Sequence, residues 1–463
     1  MSHCIKSHLI EPSENHKLIE LSDGPPITSA LRYRWIIFSI LAVSYILVYF
    51  HRLCPAVVAG DMMHDLHATG VLLGLLGSAY YYPYALMQLP AGLLADSWGP
   101  RKTIATFFSF ACAGSIILGW APTIFWAILG RTLVGIGVSV LFVPTMKILA
   151  EWFDKQEFAS MIGILIAMGG VGSITATSPL AYMSRAIGWR FSFTIVGMIT
   201  LVLAMLIWLL VRDRPQDMGW PSITAKTAIT AKTAITDKTS ASAAVAVEQP
   251  PIGLWEGVKS VLAYGPFWPL AIWFFFGCAI FFAFIGLWGG PYLMQIYGLS
   301  KPQAGNILMM SALGMVVGSP FLSFLSNRVF RARKPLLVIS SFMTLLITAV
   351  LTFFTDRLSI PSLYLLCFFI GMFTNAVVAI GFTATKELFP VRIAGTCTGL
   401  ANFFPFLGGA LLQPFMGYLL EQGGKTGDAF TVTGYSHAFM AMFVCGIITF
   451  LASLFIKETL SSQ

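Results

Sequence analysis

Charge is scarce in this sequence: 10% of the 463 residues are Asp, Glu, Lys or Arg, against about 25% in soluble domains. That scarcity excludes a soluble enzyme. Cysteine is equally thin. The seven (Cys4, Cys54, Cys112, Cys278, Cys367, Cys397, Cys445) are scattered and none stands in a paired spacing, so neither a disulfide framework nor a zinc site is implied. No phosphate-cradling Gly-rich loop with its Lys is present, which leaves no visible energy source and no cofactor to expect. The first 30 residues lack the basic start and short apolar core of a cleaved signal peptide; they are polar and mixed in charge (Glu11, Glu14, Lys17, Glu20, Asp23). Carboxylates are missing from the middle of every apolar run. Asp61 and Asp65 fall at outer ends, and Asp96, Glu151 and Glu387 at inner ends, so a buried carboxylate proton relay is not expected.

What is present is apolar: 57% of the residues are hydrophobic and the mean hydropathy is +0.80. Single cores stop growing at about 250–300 residues, whereas runs of about 20 apolar residues, each long enough to cross a bilayer, recur here from Trp35 to Ile456. They lack the alternation a membrane β-barrel needs. Twelve helices are predicted, starting near Arg34, Thr69, Thr103, Thr123, Phe158, Phe191, Phe267, Pro302, Pro335, Ile360, Ile393 and Gly434. An even number of spans puts both termini on one side. With the termini inside, the outer loops hold only Arg185, Arg190, Lys301, Arg357 and Lys425, while Arg52, Arg131 and Lys147 fall within spans. Most of the 28 basic residues are then cytoplasmic, as the positive-inside rule requires. The formal charge of +8 therefore marks a membrane side and not a nucleic-acid partner.

Between Arg212 and Phe267 the composition turns to Thr, Ala, Lys and Ser, with a sixfold period over Ile223–Ala228, Ile229–Ala234 and Ile235–Ser240. Too little apolar material is there to bury, so a cytoplasmic linker is expected, a tether in the simplest reading and a regulatory element in the other. After it, Leu254, Trp255, Val258, Val261 and Leu262 share one helical face, which suits a short helix on the inner membrane surface. The expected organisation is a cytoplasmic segment 1–33, a six-helix bundle 34–211, a linker with its interfacial helix 212–266, a second six-helix bundle 267–458 and a tail 459–463.

The two halves resemble each other. Glu151–Gly163 aligns with Glu387–Gly399 through Glu151/Glu387, Phe153/Phe389 and Gly163/Gly399, each at the inner junction of a half's fourth and fifth spans. Gly92–Lys102 aligns with Ser323–Arg333 between the second and third spans. Duplicated bundles with a site between them are a transporter design.

On these residues the chain resembles the major facilitator superfamily from about Arg32 to Ile456. Gly92, Asp96, Gly99, Arg101 and Lys102 are similar to its signature between the second and third helices, departing at Ser97 and Pro100. Arg131 followed by Gly135 and Gly137 resembles a fourth-helix motif, and Gly188–Phe193 the junction of helices five and six. The resemblance implies an all-α integral membrane fold: twelve transmembrane helices in two pseudo-symmetric six-helix bundles around a central cavity, lined by helices one, four, seven and ten. Physically, Asp96 can pair with Arg101 or Lys102 as a cytoplasmic latch that sliding bundles make and break, or the basic pair can simply anchor topology; Gly92 and Gly99 complete this gating set. The second copy has Asn327 in place of the acid. Lys147, one turn before Glu151, suits a local ion pair.

An arginine deep in a span costs about 2.5–3.5 kcal/mol on insertion scales and faces a polar interior or a partner. Arg52 and Arg131 each lie nine positions from an outer marker, Asp61 and Pro122, hence about 13 Å below the surface. Matching the halves places Ala283 opposite Arg52 and Phe282 opposite His51, with Phe281, Phe284, Trp288 and Tyr292 nearby. A cavity basic on one side and aromatic on the other suits a small organic anion or zwitterion whose carboxylate a guanidinium grips in bidentate fashion. The run Tyr49–Arg52 followed by Asp65 and Leu66 is similar to the first helix of the family's organic-anion and organophosphate carriers; the phosphate exchangers pair it with a helix-seven arginine, which Ala283 is not. Arg131 is either a ligand or a structural residue bonded to helix-one backbone. His51 is either a proton carrier, since histidine changes charge near neutral pH, or a neutral side chain satisfied by a neighbouring helix. Tyr80, Tyr84 and Gln88 are candidates from helix two; Asn306, Asn375, Thr383, Asn402 and Gln413 are candidates from helices eight, ten and eleven. Gly286–Pro291, Gly169–Gly172, Pro55, Pro179 and Pro405 offer bends.

The expected function is a secondary active transporter of a carboxylate or amino-acid-like metabolite by alternating access, a symporter or antiporter in a cell inner (plasma) membrane. It is not an enzyme. The chain is expected to be a monomer whose partners are a small-molecule substrate and the lipid bilayer, with a coupling proton left open. The alternatives are a proton-coupled carrier of a neutral metabolite such as a nucleoside or sugar, and a non-transporting membrane sensor on the same fold.

Overall fold

A computed structural model describes residues 25–221, 254–390 and 393–460. The acidic amino-terminal positions, Cys4, the sixfold repeat of the linker and Val391–Arg392 of the internal repeat lie outside the described residues. Among the described residues ten helices are long and apolar enough to cross a bilayer. Span 1 is Pro25–Leu53, continued by Pro55–Asp65. Spans 3 and 4 are Pro100–Gly119 and Ile124–Trp152, and spans 7 to 10 are Phe267–Tyr297, Lys301–Val329, Lys334–Phe353 and Ile360–Glu387. Span 11 is Ala394–Gln422 and span 12 Val432–Leu454. Two further spans are interrupted. Span 2 is Gly70–Leu86 followed by Gln88–Ser97, and span 5 is Lys155–Thr175 continued by 178–187. At Gly188 φ is 80°, a left-handed value that glycine adopts without a Cβ penalty; the chain turns there into span 6, which ends at Leu210. Twelve spans result, as expected.

Local chemistry sets the ends. The Thr69 side chain accepts from the Leu72 N–H, Ser359 from Ser362 and Thr431 from Gly434, satisfying donors that a helix start leaves free. Pro55, Pro100 and Pro302 occupy first-turn positions, where the missing N–H costs nothing. Span 1 begins nine residues before its expected start at Arg34, and Arg34 pairs with Glu157 of span 5 (Nη1–Oε2 2.6 Å). Exposed aromatics form two belts, Trp120, Phe125 and Trp126 at one face and Trp98, Trp208, Trp255 and Trp268 at the other, where amphipathic rings sit at headgroup level.

The two faces are tied differently. On the face away from the chain ends, the distal face, polar bonds join the halves: the Gly70 N–H donates to Glu421 Oε1 (2.7 Å) and Ser178 Oγ to Asn306 Oδ1 (2.6 Å), and deeper, inside the spans, Ser78 Oγ donates to the Ala410 carbonyl (2.6 Å). Lys301 forms an ion pair with Asp61 and also donates to Ser184 Oγ (3.2 Å). Span 7 approaches 55–65 so closely that a Cβ on Gly290 would lie 1.7 Å from the Ala56 carbonyl oxygen. On the terminal face the ion pairs stay within a half: Arg34 with Glu157, Asp96 with Lys147, Arg333 with Glu387. Each half also closes on itself there by the same device. Asp213, just after span 6, accepts from the Arg101 N–H (2.6 Å), and Glu458, just after span 12, accepts from the Arg333 and Lys334 N–H groups (2.8 and 2.9 Å). A carboxylate thus caps the amino terminus of the third helix of each half.

Two expectations about charge are corrected. Asp96 does not pair with Arg101 or Lys102: its partner is Lys147 of span 4. Arg101 instead donates through Nε and Nη2 to the Trp208 carbonyl (2.9 and 2.5 Å), and Lys102 is exposed. Gly99, with φ 90°, turns the chain between them, and its Cβ position is closed by Asp213 Oδ2 at 2.8 Å, so the basic pair is aimed away from Asp96. Lys147 accordingly does not serve Glu151; it reaches Asp96 and the Gly92 carbonyl (3.5 Å). The interfacial helix Leu254–Ala263 turns Val258 and Val261 inward, next to span 11 where Gly257 meets Thr396, while Trp255 is 69% exposed beside Lys259. It is therefore docked on the second half with Trp255 off the buried face.

Candidate functional site

Span 1 supplies Tyr49, His51 and Arg52, and span 2 lies beside it with Tyr80, Tyr81 and Tyr84. The Tyr80 hydroxyl donates to the Val48 carbonyl (3.3 Å) and the Tyr81 hydroxyl to the Arg52 carbonyl (3.1 Å), which locks the two helices in register at the depth of Arg52. Arg52 is 7% exposed. Its guanidinium carbon lies 4.4 Å from the Tyr49 ring centre, 5.1 Å from Tyr84 and 5.0 Å from Phe406 of span 11. Among the described residues no carboxylate pairs with it, and its Nε has no hydrogen-bond partner. Aromatic faces attract a cation when desolvated but do not neutralise it.

Arg131 is fully buried and is held from the other side. Its Nη1 donates to the His51 carbonyl (2.6 Å), with Cys54 Sγ at 3.7 Å, and its guanidinium lies 5.1 Å from the Tyr80 ring. Of the two open readings, the bond to helix-one backbone is the one the geometry displays. His51 is fully buried, yet neither ring nitrogen has a partner, so the expectation of a histidine satisfied by a neighbouring helix is not met. Arg52, Arg131 and His51 together hold five of the polar side-chain atoms that are buried without a partner, a concentration of unused polar groups beside the junction of the halves.

From the opposite half the boundary is aromatic. Phe282 stacks on Phe406 (5.5 Å between centres, 15°) and lies 5.0 Å from Tyr81; Phe406 lies 4.2 Å from Tyr84. Ala283, the counterpart of Arg52, is fully buried and brings no charge. Towards the terminal face, Asn402 Nδ2 donates to Gln88 Oε1 (2.7 Å) and Gln88 Nε2 to the Tyr84 carbonyl (3.1 Å), an amide bridge across the halves below Arg52. Asn375 sits half-buried in the wide turn Gly371–Ala376 of span 10.

Other candidates are placed elsewhere. Trp288 is fully buried and donates to the Gln413 carbonyl (2.9 Å), and Phe281 packs against Phe282. Phe284 and Tyr292 pack with Phe439. Gln413 donates to the Phe282 carbonyl (2.8 Å), Asn306 belongs to the distal seal, and Thr383 returns its hydroxyl to Ala379 (2.9 Å). Gly92, Asp96, Gly99, Arg101 and Lys102 are gathered at the terminal face, remote in sequence and depth from Arg52. Phe406 was absent from the sequence candidates. Nothing but its neighbour Pro405 marks it, and in a chain with 38 Phe one ring carries no signal until its half is docked.

Two bundles of six spans, joined around a buried cation, define a membrane carrier, and the chain belongs to the Major Facilitator Superfamily, whose model matches residues 38–290 and 285–462. It is a multi-pass transporter and not an enzyme. Among curated proteins it is 25% identical to the "Probable sulfoacetate transporter SauU" of Cupriavidus necator, over 93% of this chain and 95% of that protein. It is 26% identical to the "Probable galactarate/D-glucarate transporter GarP" of Escherichia coli (strain K12), over 89% and 92%. A "Probable hexose phosphate transport protein" of Chlamydia muridarum is 24% identical, over 93% of each chain. Among solved structures, an inward-facing bacterial homolog of the human lysosomal transporter Spinster superposes with a TM-score of 0.69 at 19% identity, over 92% of this chain and 98% of that one. A D-xylose–proton symporter gives 0.69 at 14%, over 92% and 97%. These two share the fold.

Proposed function

We propose that the protein moves a small organic anion or zwitterion, a carboxylate or amino-acid-like metabolite, across a cell inner (plasma) membrane by alternating access, as a monomer with both termini cytoplasmic. The observation that carries this reading is Arg52: a buried guanidinium at the junction of the halves, open at Nε and without a carboxylate. Leaving a buried charge unpaired costs several kcal/mol, and an anionic substrate removes that cost when it binds. The relatives named for sulfoacetate, galactarate and glucarate support an acidic cargo. The absence of a second guanidinium at Ala283 speaks against a phosphate ester. In this reading the substrate carboxylate meets Arg52 between Tyr49 and Tyr84, Asn402 and Asn375 face it from the second half, and Arg131 fixes span 1 from behind.

The test is counterflow of labelled solute in proteoliposomes with sulfoacetate, galactarate, simple carboxylates and amino acids. Exchange of at least one of them that disappears in Arg52→Lys is expected; no exchange of any anion, or exchange unaffected by that change, overturns the reading. A sensor on the same fold would bind without exchange. Proton coupling is a second reading that rests on His51, whose ring nitrogens are both free for a proton or water. His51→Ala is then expected to flatten the pH profile of uptake, and an unaltered profile removes His51 from coupling.

A further inference from the structure

Three rings surround the Arg52 guanidinium, and they do not belong to one body. Tyr49 and Tyr84 sit in the same half as Arg52 and travel with it. Phe406 comes from span 11 of the other half, 5.0 Å from the guanidinium carbon. It is 4% exposed, held between Tyr84 at 4.2 Å and Phe282 at 5.5 Å, so its face is fixed against the cation and does not drift over it. Tyr81, on the same ring stack at 6.3 Å from Phe406, is the residue that bonds the Arg52 carbonyl.

A carrier with a buried, uncompensated cation faces a difficulty whenever it is empty. To reorient, the halves must close around that cation with no anion between them, in surroundings that penalise bare charge. An aromatic face supplied from the opposite half offers a partial substitute, because its quadrupole presents negative potential to a desolvated cation. Resting on the reading of Arg52 as the anion site, we infer that Phe406 is a positioning residue that covers Arg52 in the unloaded carrier and so permits its empty return. The ring and the substrate anion are alternative covers for one guanidinium. Phe406 thereby sets the balance between net transport, which needs the empty return, and exchange, which does not.

The test uses the full chain in proteoliposomes with Phe406→Leu, which keeps apolar bulk but has no ring, and Phe406→Tyr, which keeps the ring. For an anion that the wild type exchanges, the ratio of net uptake to counterflow is expected to fall about tenfold in the leucine variant, the scale of a desolvated cation–π contact, and to return with tyrosine. A second measurement needs no substrate. With Met294→Cys introduced beside Gly60 in the distal seal, labelling of that cysteine in ligand-free protein reports opening by the empty carrier, and its rate is expected to drop about tenfold with leucine alone. An unchanged labelling rate, an equal loss of net uptake and counterflow, or the same behaviour in both variants overturns the inference. Should labelling slow in the leucine variant while the wild type exchanges no anion, the role of Phe406 stands and the anion reading of Arg52 falls.

Discussion

Arg52 of span 1 and Arg131 of span 4 carry the same charge yet are held in opposite ways, and this separates their variants. Arg131 spends a donor on the His51 carbonyl, so a change there disturbs the path of span 1. Arg131→Lys is expected to lower thermal stability by roughly 1–3 kcal/mol, the cost of a lost buried charge-assisted bond, along with transport, as a melting curve beside an uptake assay will show. Among the described residues the Arg52 side chain holds no backbone carbonyl; its polar neighbours are the Tyr80 and Tyr84 hydroxyls. Arg52→Lys therefore leaves melting near the wild-type value while transport falls by more than about tenfold, because a point charge does not reproduce the planar fork. A variant that melts early would move Arg52 into the structural class. The sequence placed both arginines at the right depth, since depth follows from counting along a helix. It did not separate their roles, because role depends on which neighbour turns a carbonyl or a ring toward each.

Among the elements, span 7 illustrates how close approach and helix form are joined. Its wide turn Phe284–Trp288 precedes Gly289 and Gly290, and the missing side chain at 290 lets it touch the Ala56 carbonyl. Gly290→Val is expected to prise the distal seal apart: distal labelling of Met294→Cys should rise several-fold, and a rate equal to the parent's would show that the contact yields without opening the face. The terminal face offers a test with pH. Burial pushes the Glu458 carboxyl up, but the N–H groups of Arg333, Lys334, Leu460 and Thr459 outweigh it and hold the group below its ordinary 4.5. A depressed carboxylate stabilises the fold above its unfolded pKa, and that contribution is lost as pH falls through the folded one. Wild type should therefore lose melting temperature more steeply below about pH 4.5 than Glu458→Gln, which starts lower at pH 7 by the typical loss of a cap, about 1 kcal/mol; parallel curves would remove Glu458 from the tie. Span number was legible because hydropathy acts locally. The partner of Asp96 was not. Proximity in sequence favoured Arg101 for Asp96 and Glu151 for Lys147, whereas Gly99 turns the chain and brings spans 2 and 4 together across about fifty residues.

At the scale of the whole molecule, the ion pairs described on the terminal face stay within a half, whereas on the distal face an ion pair and polar bonds join the two halves. Lys301 and Asp61 are the charged part of the distal seal. Reversing either charge alone should lower uptake by several-fold and raise distal labelling, and reversing both should restore much of each; double-reversal protein as impaired as the single variants would show that the pair is incidental. The twofold resemblance read from Glu151–Gly163 and Glu387–Gly399 extends further than those segments. The carboxylate caps by Asp213 and Glu458 repeat it again: Val211-Arg212-Asp213 matches Ile456-Lys457-Glu458 in kind, and each acid accepts from the backbone at the start of its half's third helix, Asp213 from one N–H and Glu458 from two.

Those two caps bear on how the protein can be made. Each fastens the last helix of a bundle to its third without borrowing an atom from the other bundle, and the described contacts Gly70–Glu421, Ser178–Asn306 and Asp61–Lys301 unite the bundles directly. A gene cut inside 222–253 would yield two polypeptides, each already bracketed at its own cytoplasmic rim in the proposed orientation, that have only to find one another in the bilayer to rebuild the carrier.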